Sequence, residues 1–255
     1  MPIRLVTFDA LYTLLEPRAP VAVQYADLFR PYLGSLDPAA IRAAFKPAFK
    51  RAQITAPNAP EHFWTAVLRE TALAAGADPA ALAASLPALV PAALHRFSSR
   101  EGYTLYDDTL PALEKLRGMG VMTGLVSNAD ARILDALADL GAAHLLNPIL
   151  LGERDGPPKP AMALFHRAAV RAGVEHFGEV LHVGDEFEND YNAAWNASVP
   201  AVLLRRPGAD AAAHREDEAP DAQLAETVAS LDEVVTHVEL ANKPPRPPRR
   251  QRRWE

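Results

Sequence analysis

Four short stretches carry side chains that could do chemistry: "TFDALYTLL" (7–15), "GLVSNAD" (124–130), "KPAMALF" (159–165) and "VGDEFENDYNAA" (183–194). They supply a carboxylate at Asp9, a hydroxyl at Ser127, an ammonium at Lys159 and further acids at Asp185, Glu188 and Asp190. A carboxylate can attack as a nucleophile and split one hard transfer into two easier steps. It can also serve as a hard oxygen ligand for a cation. A hydroxyl and an ammonium can hold the oxygens of a transferring anionic group and offset their charge. Each residue has a local reading too. Asp9 could merely end a strand, Ser127, Asp130, Asp185 and Asn189 are all helix-capping types, and Lys-Pro is common where a helix begins.

The elements that would position these residues argue for the first reading. Apolar runs that read as buried strands cover Ile3–Asp9, "VMTGLVS", "NPILLG", "GEVLHVGD" and "PAVLLRR". They lack polar alternation, as expected where helices cover both faces of a parallel sheet. Between them stand amphipathic segments, "DDTLPALEKLRGMG", "DARILDALADLG", "KPAMALFHRAAVRAG" and "NDYNAAWNAS", several with a glycine stop. The expected architecture is α/β, a Rossmann-like doubly wound parallel sheet with an inserted all-helical cap. In such sheets ligands bind beyond the carboxyl ends of the strands. Asp9, Ser127, Asn128 and Asp185 all fall there, and Lys159 opens the helix after the short strand. Jointly they form one edge.

The insert spans residues 17–100, four Ala-rich helices punctuated by proline, with residues 1–16 and 101–240 forming the core. Its aromatics Tyr25, Phe29, Phe45, Phe49, Phe63 and Trp64 read as cap core, some of them able to line a pocket. The eight histidines show no paired metal-site spacing, and His182 reads as a hydrogen-bonded core residue. Residues 207–225 read as a polar loop and "VASLDEVVTHVELA" as a last helix. The 241–255 tail sets Lys243, Arg246, Arg249, Arg250, Arg252 and Arg253 against Glu255. It reads as an extended, solvated end, or as a docking or nuclear-localisation segment for a protein partner.

Composition narrows the class. Of 255 residues 49% are hydrophobic and 23% charged, as in ordinary globular proteins. With no cysteine, thiol nucleophiles and thiolate-bound zinc are excluded. A net charge of −6 argues against general nucleic-acid binding. No apolar stretch approaches the ~20 residues of a membrane span. The strand beginning at Ile3 leaves no room for a secretory signal. The expectation is an intracellular protein, cytoplasmic or nuclear, with no membrane association.

The order and wording of the four stretches resemble the haloacid dehalogenase-like hydrolase superfamily, closest to its branch named haloacid dehalogenase-like hydrolase domain-containing 3. The resemblance covers roughly residues 3–206 and implies roles. Asp9 would be the nucleophile, forming an aspartyl-phosphate with a small phosphorylated metabolite. Ser127 and Lys159 would hold the phosphoryl oxygens, and Thr13 and Asn128 would contact substrate. Mg²⁺ would bind Asp9, Asp185, Asp190 and the backbone carbonyl of Leu11. Two departures stand out. The family's phosphatases carry a second Asp, a general acid, where this chain has Leu11, and usually a glycine where it has Tyr12. Leu11 has no proton to give, so hydrolysis should be slow toward poor leaving groups. The alternative reading is a weak or inactive member kept for binding. A haloacid dehalogenase ranks third. Such enzymes are metal-free, lack the full acidic last motif, and use a cap arginine that has no clear match here.

Overall fold

The computed structural model describes residues 1–55, 60–207 and 220–244. The tail beyond Pro244 and most of the 207–225 loop therefore lie outside the described residues. The chain divides into two compact units. One comprises Met1–Thr13, Asp107–Asn128 and Leu145 onward; the other comprises Leu14–Tyr106 and Ala129–His144.

The first unit holds a six-stranded sheet: β1 (Leu5–Phe8), β4 (Met122–Ser127), β5 (Ile149–Leu151), β6 (Val180–Gly184), β7 (Ala201–Leu204) and β8 (Thr227–Val228). The order is β5-β4-β1-β6-β7-β8, and every pairing is parallel. All residues of β1, β6 and β7 are buried, which is why their sequences run apolar without alternation. β1 is central. The chain adds strands on one side of it through β5, then crosses to the other side at β6. The strand order thus reverses next to β1, the switch point at which doubly wound sheets bind ligands.

The helices of this unit are α5 (Thr109–Gly118), α7 (Gly152–Asp155), α8 (Ala163–Arg171), α9 (Ala193–Asn196) and α10 (Leu231–Ala241). α8 packs Leu164, Phe165, Ala168 and Ala169 into one cluster with Leu5, Val126 and Leu150. One helix begins later than expected and another differs in type. Lys159 stands in a turn ahead of α8, because the residue before a proline is pushed out of helical geometry. "NDYNAAW" opens as a π-helical stretch, Phe187–Asn192, before α9.

Asp155, buried at the end of α7, accepts from Leu151 N–H and from Arg154 and Arg171. Burial pushes its pKa up, but these donors outweigh burial and hold it below the usual value. The stabilisation is therefore complete above about pH 4 and is lost as pH falls through the lower folded value. Asp155→Asn is expected to cost about 1–3 kcal/mol at pH 7. Its acid unfolding curve should be shallower than that of the native chain. Identical pH curves would rule this out.

The second unit is helical: α1 (Val21–Leu33), α2 (Pro38–Thr55), α3 (Pro60–Ala74), α4 (Pro79–Arg96) and α6 (Arg132–Asp139). It also has a short antiparallel ladder of β2 (Leu15–Pro17) and β3 (Tyr103–Leu105) that sequence periodicity did not predict. Tyr25, Phe29, Ile41, Leu68, Leu89 and Phe97 form its core, and Phe49, Phe63 and Trp64 meet edge to face beside it. Among the described residues, no helix is long and apolar enough to cross a membrane.

Candidate active site

Asp9 follows β1 immediately, and its N–H continues the ladder to Val183. Its carboxylate is therefore set at the carboxyl end of the central strand. Ser127 ends β4 on one side and Asp185 follows β6 on the other. The three residues are far apart in the chain and adjacent in the sheet.

Lys159 joins them. Its buried Nζ donates to Asp9 Oδ1 at 2.7 Å, Asp190 Oδ1 at 2.5 Å and the Val126 carbonyl at 2.9 Å. All three ammonium protons are used. Burial alone would favour a neutral amine, but Asp190 and Asp9 hold Lys159 charged well above the usual lysine range. The backbone of Lys159 is fixed by Asn128, whose Oδ1 accepts its N–H and whose Nδ2 donates to its carbonyl, both at 2.8 Å. Burial pushes the Asp9 carboxyl up and Asp190 adds to this, while Lys159 and a hydrogen bond to Ser127 oppose it.

Asp190 is 1% exposed. Its Oδ1 also faces His182 Nε2 at 3.1 Å, and its Oδ2 accepts from Glu186 N–H at 3.0 Å. Burial would raise its pKa, yet Lys159 and His182 hold it ionised, below the usual carboxylate range. An ionised carboxylate only accepts, so His182 must carry its proton on Nε2, and Nδ1 then accepts from Thr7 Oγ1 at 2.9 Å. Burial lowers the His182 pKa and keeps the ring neutral. Gly184 leaves room for all this. A Cβ there would fall on the Asp190 carboxyl.

Asp185 is 7% exposed. Burial, then repulsion by Asp190 and Asp9, pushes its pKa up to about 8. Thr13, fully buried, turns its hydroxyl to Asp185 Oδ1 at 3.4 Å. Asp9, Asp185 and Asp190 each present a carboxylate oxygen, all within 4.8 Å of one another. Three carboxyl groups share one ammonium in a buried place, and the raised Asp185 pKa is the consequence: its charge is resisted there unless a further cation arrives. An all-oxygen donor set whose third carboxyl lacks a counter-charge fits a hard divalent cation. Leu11, half-buried, lies in the Ala10–Thr13 turn, and Tyr12 adopts φ +56°, the left-handed region where glycine is at ease.

Sequence reasoning named Asp9, Ser127, Lys159, Asp185 and Asp190, and the structure brings these five together. It did not name His182 or Thr7 as partners of the site. The signal was present: two polar residues in otherwise apolar, fully buried strands need partners.

A haloacid dehalogenase-like hydrolase family model matches residues 3–197. The chain belongs to that family. This haloacid dehalogenase-like chain is 30% identical over 213 residues to haloacid dehalogenase-like hydrolase domain-containing protein 3 of Danio rerio, covering 81% of this chain and 86% of the relative. An L-2-haloacid dehalogenase from Xanthobacter autotrophicus has the same fold, with a TM-score of 0.59 at 21% identity over 93% of this chain and 98% of the other. So does a Bacillus subtilis HAD-hydrolase described as bound to magnesium, with a TM-score of 0.63 at 16% identity over 94% and 100% of the two chains.

Proposed function

We propose that this family member is a Mg²⁺-dependent hydrolase of small phosphorylated metabolites, working through an aspartyl-phosphate on Asp9. The observation that carries the reading is the third carboxyl group: Asp185 joins Asp9 and Asp190, their oxygens within 4.8 Å of one another, with Lys159 as the one ammonium bonded to the cluster among the described residues. Asp9, Asp185, Asp190 and the Leu11 carbonyl would hold the metal, which would supply positive charge to neutralise the phosphate dianion. The remaining chemistry belongs to the chain. An Asp9 oxygen attacks phosphorus as the bond to the leaving oxygen breaks. Ser127 holds a phosphoryl oxygen, and Lys159, fixed by Asn128, turns its proton from Asp9 Oδ1 to another phosphoryl oxygen as that carboxylate oxygen becomes bonded to phosphorus. Water then attacks the phosphorus of the aspartyl-phosphate, releasing inorganic phosphate and restoring the carboxylate.

A metal-free dehalogenase is less well supported, since a haloacid carboxylate would meet Asp9 and Asp190 with Lys159 alone to offset them. Leu11 and Tyr12 favour a second reading, a weak or inactive binding member. The basic tail would serve a protein partner in either case, within an intracellular setting.

The test is a phosphatase screen with aryl and acyl phosphates, with and without Mg²⁺. Turnover should require both Asp9 and Mg²⁺. Millimolar Mg²⁺ should raise the melting temperature by stabilising the native state, and Asp185→Asn should abolish the shift. Absence of Asp9-dependent turnover on every activated phosphate would transfer support to the binding reading.

A further inference from the structure

The turn after Asp9 spans Ala10–Thr13. Its closing bond, Thr13 N–H to the Ala10 carbonyl, is long at 3.4 Å. Tyr12 sits at φ +56°, a left-handed conformation that crowds the Cβ of a non-glycine residue. Such a conformation persists only where surrounding structure over-determines it. Those surroundings include Arg206, 8% exposed, just past β7. Its Nε and Nη2 both donate to the Thr13 carbonyl, at 3.2 and 2.8 Å. Its Nη1 and Nη2 also form a fork to the Asp108 carboxylate, at 3.1 and 2.8 Å. Asp108 Oδ2 in turn accepts the N–H of Leu231, first residue of α10, at 2.8 Å. The neighbouring Arg205 donates to the Asp185 main-chain carbonyl at 2.6 Å.

We propose that Arg206, anchored by Asp108, is a positioning residue that clamps the Asp9–Thr13 loop through the Thr13 carbonyl and so places the Asp9 carboxylate and the Leu11 carbonyl for the reaction. Two consecutive arginines leaving β7 thus reach the two loops that carry the candidate ligands, one each. Neither contact is to a side chain of the site; both are to main-chain oxygens, so the arginines set position rather than charge. The planar fork is what permits one side chain to bridge Asp108 and Thr13 at once. A lysine would keep the charge and lose the bridge. This inference rests on Asp9 being the nucleophile only in its kinetic consequence; the clamp itself is a statement about the loop.

The experiment therefore has two arms on full-length Arg206→Lys. Amide hydrogen exchange should accelerate at least tenfold in peptides covering residues 9–14, with peptides of β4 and β6 unchanged. On an aryl phosphate with Mg²⁺, kcat should fall about 10–100-fold while KM stays within about threefold, the signature of a misplaced reacting group. Asp108→Asn, which preserves shape, should move both readouts in the same direction and replaces Arg206→Lys if that variant does not fold. Unchanged exchange at 9–14 overturns the clamp, and so does faster exchange with kcat unaltered. Should the native chain show no Asp9-dependent turnover, the hydrolase reading fails and the exchange arm alone decides the clamp.

Discussion

Lys159→Met is expected to destabilise the folded chain by about 3–5 kcal/mol at neutral pH, as found when one partner of a buried ion pair is removed. Lys159 is a buried cation among Asp9, Asp185 and Asp190, with direct bonds to the first and last of these. Methionine fills a similar volume but leaves the Asp9 and Asp190 carboxylates with no opposing charge. Salt should not rescue the variant, because buried charges are poorly screened. Two changes should. Adding Asp190→Asn removes one of the stranded charges and should recover a large part of the loss. Millimolar Mg²⁺ should recover part as well if the carboxylates bind it, since a native-state ligand stabilises by mass action. Denaturant melts of the two single variants and the double variant, with and without Mg²⁺, measure this directly. A loss below about 1 kcal/mol for Lys159→Met would mean that the lysine is not the counter-charge of the cluster.

Leu11→Asp is expected to raise the rate on alkyl phosphates by roughly 10²-fold, the lower end of what a placed acid contributes. The native chain should show the complementary defect, turning over aryl and acyl phosphates while alkyl phosphates barely react. Aryloxide and acylate leave without a proton; an alkoxide does not. The lower end is expected because Tyr12 holds the turn at φ +56° and an error of 1 Å in placement can cost about 10²-fold. Combining Leu11→Asp with Tyr12→Gly should therefore increase the gain, since glycine takes that φ without strain. Asp9→Asn in the same background should erase it. A Leu11→Asp chain whose leaving-group preference matches that of the native chain would show that the position does not face the departing oxygen.

The strands that build the sheet were legible because they are buried on both faces, and continuous apolar runs such as those around Leu5–Phe8 and Val180–Gly184 have few other uses. The ends of those strands then located Asp9, Ser127 and Asp185. Shorter elements escaped. β2 and β3 have three residues each, one of them Pro17, too few for any period to register, and β8 has two. The site was legible as residues and not as a network. His182 lies 175 residues from Thr7, and Arg206 lies 193 residues from Thr13. No local pattern encodes such partners; only the fold brings them together. Asn128 illustrates the difference. Its place at a strand end marked it as a candidate, but only the fold shows its amide bonding both main-chain groups of Lys159.

The central place of β1 has a consequence for the order in which the protein comes into being. β1 precedes every other strand on the chain, yet its partners begin at Met122 and Val180. At synthesis speeds of about 5–20 residues per second, its second edge waits roughly 10–35 s for a neighbour. During that interval Leu5–Phe8 is an apolar strand with open edges, the kind of segment that invites mispairing. Pairings so distant along the chain also make folding slow, because the connecting loop must be closed before any contact rewards it. A nascent chain released before Asp190 would carry Asp9 without its surroundings. Early termination should therefore yield sticky, inactive fragments rather than partly working enzymes.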